Sequence, residues 1–188
     1  VHPQAYWEWF AQENAREGVA PNAAHRFVAS LEQAGKLSAV VTQNIDGLHQ
    51  RAGSKRVLEL HGNWSRLTCT GCGEHFTLND VDDARSGSVP HCPTCASVLR
   101  PDIVFYGEML DSDVIEGAVR AITEADLLIV AGTSLVVHPA AGLIDYYTGE
   151  RLVLMNATST PYDSRADLII REPVGQVFHE LERLRPRP

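Results

Sequence analysis

Ala39-Val40-Val41-Thr42-Gln43-Asn44-Ile45-Asp46-Gly47-Leu48-His49-Gln50 carries a short aliphatic run straight into a polar turn. Four residues are too few for a helix, and the β-branched content suits a strand buried on both faces. Three runs of the same kind follow, Leu127 to Ala131, Leu152 to Met155 and Leu168 to Ile170. Helical periodicity occupies Gln4 to Glu17, Asn22 to Ala34, Asp111 to Glu124, Pro139 to Tyr147 and Val174 to Leu184. Ala23, Phe27, Val28 and Leu31 form one apolar stripe in the second of these. Alternating strands and helices predict an α/β fold with a doubly wound, Rossmann-like parallel sheet. Such sheets place ligands outside the C-terminal ends of their strands, which sets Gln43, Asn44 and Asp46 at the rim of a crevice. An Asn-x-Asp-Gly run is also an ordinary capped turn, since Asn and Asp bond local backbone and Gly takes positive φ.

The 188 residues, 44% of them apolar, suffice for one ordinary domain, or one domain with a small insert. A formal charge of -8, from 24 acids against 16 bases, leaves no broad basic surface for counterion release. No lysine-rich run suits anionic lipid, so neither nucleic acid nor a membrane is an expected partner. No apolar run approaches the ~18 residues that cross a bilayer, and the first residues have no signal-peptide pattern. A cytoplasmic location is therefore expected. Helix-forming sequence begins almost at once after Val1, at His2 and Pro3, so the natural start is expected upstream. The closing Arg185-Pro186-Arg187-Pro188 reads as a frayed tail.

From about Arg66 to Arg100 the alternation stops, and Cys, Gly, Ser and Asp dominate. Cys69 and Cys72 form one C-x-x-C and Cys92 and Cys95 another, with 19 residues between the pairs. Two short knuckles at this spacing place four thiolates at the corners of a tetrahedron, the arrangement of a structural zinc. Zinc then supplies folding energy that so small an insert cannot draw from a core. A redox pair or two disulfides would suit a secreted chain better than this one. Four cysteines fill the coordination shell, which leaves His75 and His91 as solvated loop residues. The expected organisation is a zinc module at 67–99 inserted into a Rossmann-like domain formed by 1–66 and 100–188.

Leu58-Glu59-Leu60-His61-Gly62-Asn63 sets His61 at the end of a short strand, before a glycine. With an ordinary pKa near 6.5, an imidazole is suited to take a proton from a hydroxyl at neutral pH. Ile129-Val130-Ala131-Gly132-Thr133-Ser134 runs a strand into a turn of small residues, where backbone N–H groups can meet phosphate. Taken with Arg100-Pro101-Asp102-Ile103-Val104-Phe105-Tyr106-Gly107-Glu108 and Gly132 to Pro139, these motifs resemble the sirtuins, in content and in order, over nearly the whole chain.

The resemblance implies an NAD-dependent removal of acyl groups from protein lysines. The acyl oxygen attacks C1′ of the nicotinamide ribose, nicotinamide leaves, and an alkylimidate forms. His61 matches the general base that then acts on the ribose hydroxyls. Asn44 matches a contact to ribose and an ordered water, Asp46 one to the nicotinamide carboxamide, and Gln43 one to the nicotinamide ribose. Gly132, Thr133 and Ser134 match the turn that holds cofactor phosphate and ribose, and Asn156 matches an adenosine-ribose contact. Val104 and Phe105 match the apolar tunnel around the lysine stem. Gly107, Glu108 and the segment holding Val136 resemble the two edges between which an acyl-lysine peptide adds as a strand. Family members that prefer succinyl or malonyl lysine carry a Tyr and, three residues later, an Arg, positions that fall here on Phe10 and Glu13. An acid at the second position favours acetyl or another uncharged acyl group.

Sirtuins open with a strand, a Gly-Ala-Gly-x-Ser turn and a Pro-Asp-Phe-Arg loop that have no match in this sequence. Their strand lies between those matched by Ala39 to Thr42 and Leu127 to Ala131, so both of these are expected to lose a ladder partner. The expectation is a piece of a longer protein. A truncated acyl-lysine and NAD binding module without catalysis, and a strand supplied by a partner, are the alternatives. ADP-ribosyl transfer is a further reading, because it uses the same activated C1′ carbon.

Overall fold

The computed structural model describes residues 2–14 and 19–184. In chain order it contains helix α1 (Pro3–Asn14), helix α2 (Ala23–Gln33), strand β1 (Val40–Thr42), a single turn α3 (Leu48–Arg51), and strands β2 (Val57–Glu59), β3 (Gly62–Cys69) and β4 (His75–Thr77). Helix α4 (Asp82–Ser86), strand β5 (Leu99–Ile103), helix α5 (Ser112–Thr123), strands β6 (Leu128–Ala131), β7 (Leu152–Met155) and β8 (Leu168–Ile170), and helix α6 (Val174–Leu184) follow. The chain divides into two compact units. One comprises Val1–Ala20, Asn44–Gly47 and His61–Met109, and the other Pro21–Gln43, Leu48–Leu60 and Leu110–Pro188.

The second unit holds the parallel strands. β1 pairs with β2 from Val40↔Val57 to Thr42↔Glu59, and β7 lies between β6 and β8. Among the described residues these are two sheets, and β1 and β6 each pair along one edge only. β7 buries Leu152, Leu154 and Met155, as a central parallel strand should, whereas β8 leaves Leu168 and Ile169 exposed. α5 closes the core with Ala118 and Ile122 against Leu143, Ile144, Leu152 and Leu154. Each buried Leu or Ile there contributes about 1.5–3 kcal/mol.

Helix ends follow local chemistry. The Asn22 side-chain oxygen accepts from His25 N, and the Asp111 carboxylate accepts from Asp113 N and Val114 N, so α2 and α5 begin one residue after these caps. The run expected to reach Glu17 is helical to Asn14, and its remainder lies outside the described residues. The helical pattern expected from Pro139 to Tyr147 forms a tighter 3₁₀ helix at Ala140–Tyr146, with Ala140, Ala141, Leu143 and Ile144 buried.

The first unit is built on an antiparallel sheet in the order β4-β3-β5. Its core joins Trp7 and Phe10 of α1 to Leu67, Cys69, Cys92 and Leu99. The two aromatic rings meet edge to face, with centroids 5.1 Å apart. Phe10, at the position where members that prefer acidic acyl groups carry a Tyr, is only 1% exposed. The side chain of Glu13 lies outside the described residues.

Gly62 opens β3 with φ at +77°. A Cβ at this position would lie 2.0 Å from the Asp102 carbonyl oxygen on β5. Only glycine allows the two backbones to approach so closely while taking a left-handed conformation. Gly62→Ala is expected to cost more than about 2 kcal/mol. Thermal melting of the purified variant should fall by roughly 4 to 8 °C.

Candidate active site and metal centre

In the first unit, the β3–β5 pair delivers two sets of expected residues from adjacent ends. His61 precedes Gly62 in the turn into β3, and its carbonyl accepts from Val104 N at 3.0 Å. Phe105 follows Val104 out of β5, and its ring is held from two sides. Tyr6 meets it edge-on with centroids 5.6 Å apart, and the Arg100 guanidinium lies 5.0 Å from the ring centroid. Arg100 also donates to the Ile103 carbonyl and forms an ion pair with Glu108. The Glu108 carboxylate accepts from Phe105 N at 3.0 Å, closing a loop that carries Gly107 at φ +88°.

The Phe105 N–H first, and then Arg100, hold the Glu108 carboxyl below the usual carboxylate range. This tether is therefore complete above pH 4.5 and weakens only as the pH falls through the lowered value. Burial pushes the Tyr6 hydroxyl up to about 12, although Arg100 pulls the other way, so Tyr6 stays neutral beside the ring it positions. Beyond these tethers Tyr106 and Met109 are exposed.

Asn44 and Asp46 lie in the same unit, on the turn after β1, with Asn44 Nδ2 3.5 Å from Asp46 Oδ2. Asn63 braces this turn. It is 4% exposed, its Oδ1 accepts from Ser65 N and Ser65 Oγ at 2.9 and 2.7 Å, and its Nδ2 would lie 3.3 Å from a Cβ on Gly47. Ile45 O accepts from Trp64 N, one residue further on.

The second unit gathers the remaining expected cofactor residues at the C-terminal ends of its parallel strands. Gln43 follows β1, and its Nε2 donates to Thr133 Oγ1 at 3.4 Å. The same oxygen accepts from Leu135 N, which fixes the turn Gly132-Thr133-Ser134 after β6. Gly132 takes φ +66° and donates to Met155 O, while Asn156 N donates to Ile170 O. Gly132 and Asn156 thus leave adjacent strands side by side, since Ala131 pairs with Met155. Val136 follows the same turn and is exposed.

Cys69, Cys72, Cys92 and Cys95 bring four sulfurs within 4.8 Å of one another. Sγ of Cys69 lies 3.4 Å from that of Cys95, and Sγ of Cys72 3.7 Å from that of Cys92. Tetrahedral zinc with bonds of about 2.3 Å requires sulfur separations of about 3.8 Å. Gly71 N and Cys72 N both point at Cys69 Sγ at 3.4 Å, the mark of a metal knuckle. The Ser97 hydroxyl and N–H lower the Cys95 thiol to about 6. Cys72, despite the Glu74 N–H that lowers it, is pushed up to about 12 by the Cys69 sulfur, burial and the remaining thiols. The donor set fits zinc and would hold it closed on all four sides.

The Sir2 family model matches residues 1–139. The chain belongs to the Sir2 family. An NAD-dependent protein deacetylase of Clostridium acetobutylicum is 48% identical over 177 residues, which are 94% of this chain and 72% of the relative. A solved Sir2–p53 peptide–NAD+ complex is 41% identical, with a TM-score of 0.85, over 97% of this chain and 78% of that one. Sir2Tm bound to a propionylated peptide matches with 41% identity and a TM-score of 0.85, over 97% of this chain and 79% of that one.

In this Sir2 chain Asn63, Arg100 and Tyr6 make site contacts that the sequence motifs alone do not assign. Asn63 and Arg100 sit inside the quoted motifs, where their position beside His61 and Val104 was the available signal. Tyr6 had none beyond an aromatic-rich helix. Zinc analysis of the protein should find one ion per chain, and Cys95→Ser should lower both the metal content and the melting temperature. Well under one zinc in carefully prepared protein would contradict the assignment.

Proposed function

We propose that this chain catalyses NAD-dependent removal of acetyl, propionyl or another uncharged acyl group from protein lysines, releasing nicotinamide and O-acyl-ADP-ribose. The observation that carries the reading is the junction of His61 and Val104 through the hydrogen bond from Val104 N to His61 O. A base and the apolar pair Val104–Phe105 then leave one rigid ladder together, as an acyl-lysine threading toward a ribose requires. NAD supplies the electrophilic C1′ carbon, and His61 takes a proton from a ribose hydroxyl.

Asn44 bonds ribose and an ordered water, Asp46 the nicotinamide carboxamide and Gln43 the nicotinamide ribose. The turn Gly132-Thr133-Ser134 receives cofactor phosphate and ribose, and Asn156 accepts from the adenosine ribose. Gly107, Glu108 and Val136 border the bound peptide, whose recognition rests on its backbone, so sequence selectivity is loose. Residues 67–99 form the structural zinc module, and 1–66 with 100–188 form the Rossmann-like cofactor domain. The partner is an acyl-lysine polypeptide and not nucleic acid or lipid, in keeping with the charge of -8. No described helix is long and apolar enough to cross a membrane, and we assign the protein to the cytoplasm.

Incubating the protein with NAD and an acetyl-lysine peptide, and following products by mass spectrometry, tests this directly. Nicotinamide and O-acetyl-ADP-ribose should appear in equal amounts, and His61→Ala should lower kcat roughly a hundredfold or more with the fold intact. A peptide that gains ADP-ribose would indicate transfer instead, and no nicotinamide at all would indicate a binding module.

A further inference from the structure

The loop after β7, residues 156–163, is the segment that carries Asn156, and one side chain outside it makes three contacts along its length. Arg171, the first residue after β8, donates through Nη1 to Asn156 O at 3.0 Å and to Thr158 O at 2.7 Å. Its Nη2 forms an ion pair with Asp163. The same Asp163 carboxylate accepts from Thr160 N at 3.1 Å and Thr160 Oγ1 at 2.8 Å. One planar guanidinium thereby ties the first, third and last residues of the loop into a closed circuit, a geometry that Lys cannot reproduce from a single point charge.

The circuit also decides which end of the Asn156 amide faces a ligand. One terminal atom of that side chain lies 2.9 Å from Thr158 O and 3.3 Å from Thr158 Oγ1. A carbonyl oxygen can only accept, so the atom facing it is the amide nitrogen. Oδ1 is then the atom left to accept from a ribose hydroxyl. Arg171 binds the carbonyls on both sides of this arrangement, so its loss releases the backbone that sets the direction of Oδ1.

We infer that Arg171 is a positioning residue for NAD, acting through the loop 156–163 to hold Asn156 toward the adenosine ribose. The inference rests on the role proposed for Asn156. Nothing in the sequence motifs assigned Arg171, because its partners are backbone carbonyls and a carboxylate that become neighbours only when β7 and β8 pair.

The test is steady-state kinetics on the deacylating protein with Arg171→Ala, Arg171→Lys, Asn156→Ala and the double variant Arg171→Ala with Asn156→Ala, alongside melting temperatures. Arg171→Ala should raise the KM for NAD about tenfold, the scale of one or two polar contacts, with kcat and the peptide KM within about twofold. Arg171→Lys, which keeps the charge on Asp163, should fall between this variant and the parent and covers the case in which the alanine variant does not fold. The double variant should be little worse than Asn156→Ala, because both act through one contact.

A lowered melting temperature with an unchanged KM for NAD in the Arg171 variants, while Asn156→Ala raises it, would overturn the role of Arg171 and leave Asn156 in place. An unchanged KM in Asn156→Ala would remove the reading of Asn156 itself, and the inference with it. Fully additive effects would show that Arg171 acts by another route, which also overturns it.

Discussion

Everything proposed for the first unit depends on the close antiparallel approach of β3 and β5. Glycine at position 62 lets the two backbones meet, with the Gly62 Cα hydrogen where a side chain would collide with Asp102 O. From that point β3 runs to Cys69 and β5 runs back to Leu99, next to the knuckle closed by Cys92 and Cys95. At the other end the same two strands release His61 and the Val104–Phe105 pair. A zinc with four sulfur ligands has no open position for catalysis. On the proposed reading it would act through the ladder, by fixing one end of the pair whose other end carries His61.

The second unit uses a different constraint. Parallel strands expose their C-terminal ends in a row, and side chains leaving those ends share one rim. Gln43 meets Thr133 there, and Gly132 and Asn156 follow paired residues of β6 and β7. The rim loops are then stiffened by polar contacts from outside the motifs, with Thr133 Oγ1 bonding Leu135 N and Arg171 spanning the loop after β7. Short loops that bind a charged, flexible dinucleotide need this stiffening, since every degree of freedom left in the loop must be lost on binding.

Much of this was legible in the sequence. The aliphatic runs marked β1, β6, β7 and β8 within a residue of their observed ends, although of the four only β7 is buried along most of its length and β6 and β8 each leave residues exposed. The cysteine spacing gave the metal cluster, because two knuckles at that separation have few other ways to fold. β3 and β5 were illegible as an antiparallel pair. Asn63-Trp64-Ser65-Arg66-Leu67-Thr68 lacks strict alternation, and the register shifts between Asn63 and Leu67. The burial of Phe10 was not legible either, because its ring packs against Trp7 and, far along the sequence, against Trp64. Arg171 was invisible because long-range hydrogen bonds to backbone leave no periodicity.

The coupling of metal to chemistry through β3 and β5 is tested most directly by removing zinc with a chelator while following amide hydrogen exchange and deacylation on the same samples. Protection at Leu67–Cys69 and Leu99–Ile103 should be lost together with activity, at one rate, and both should return when zinc is restored. Deacylation that continues after protection of this ladder has gone would show that His61 and Val104 do not depend on it.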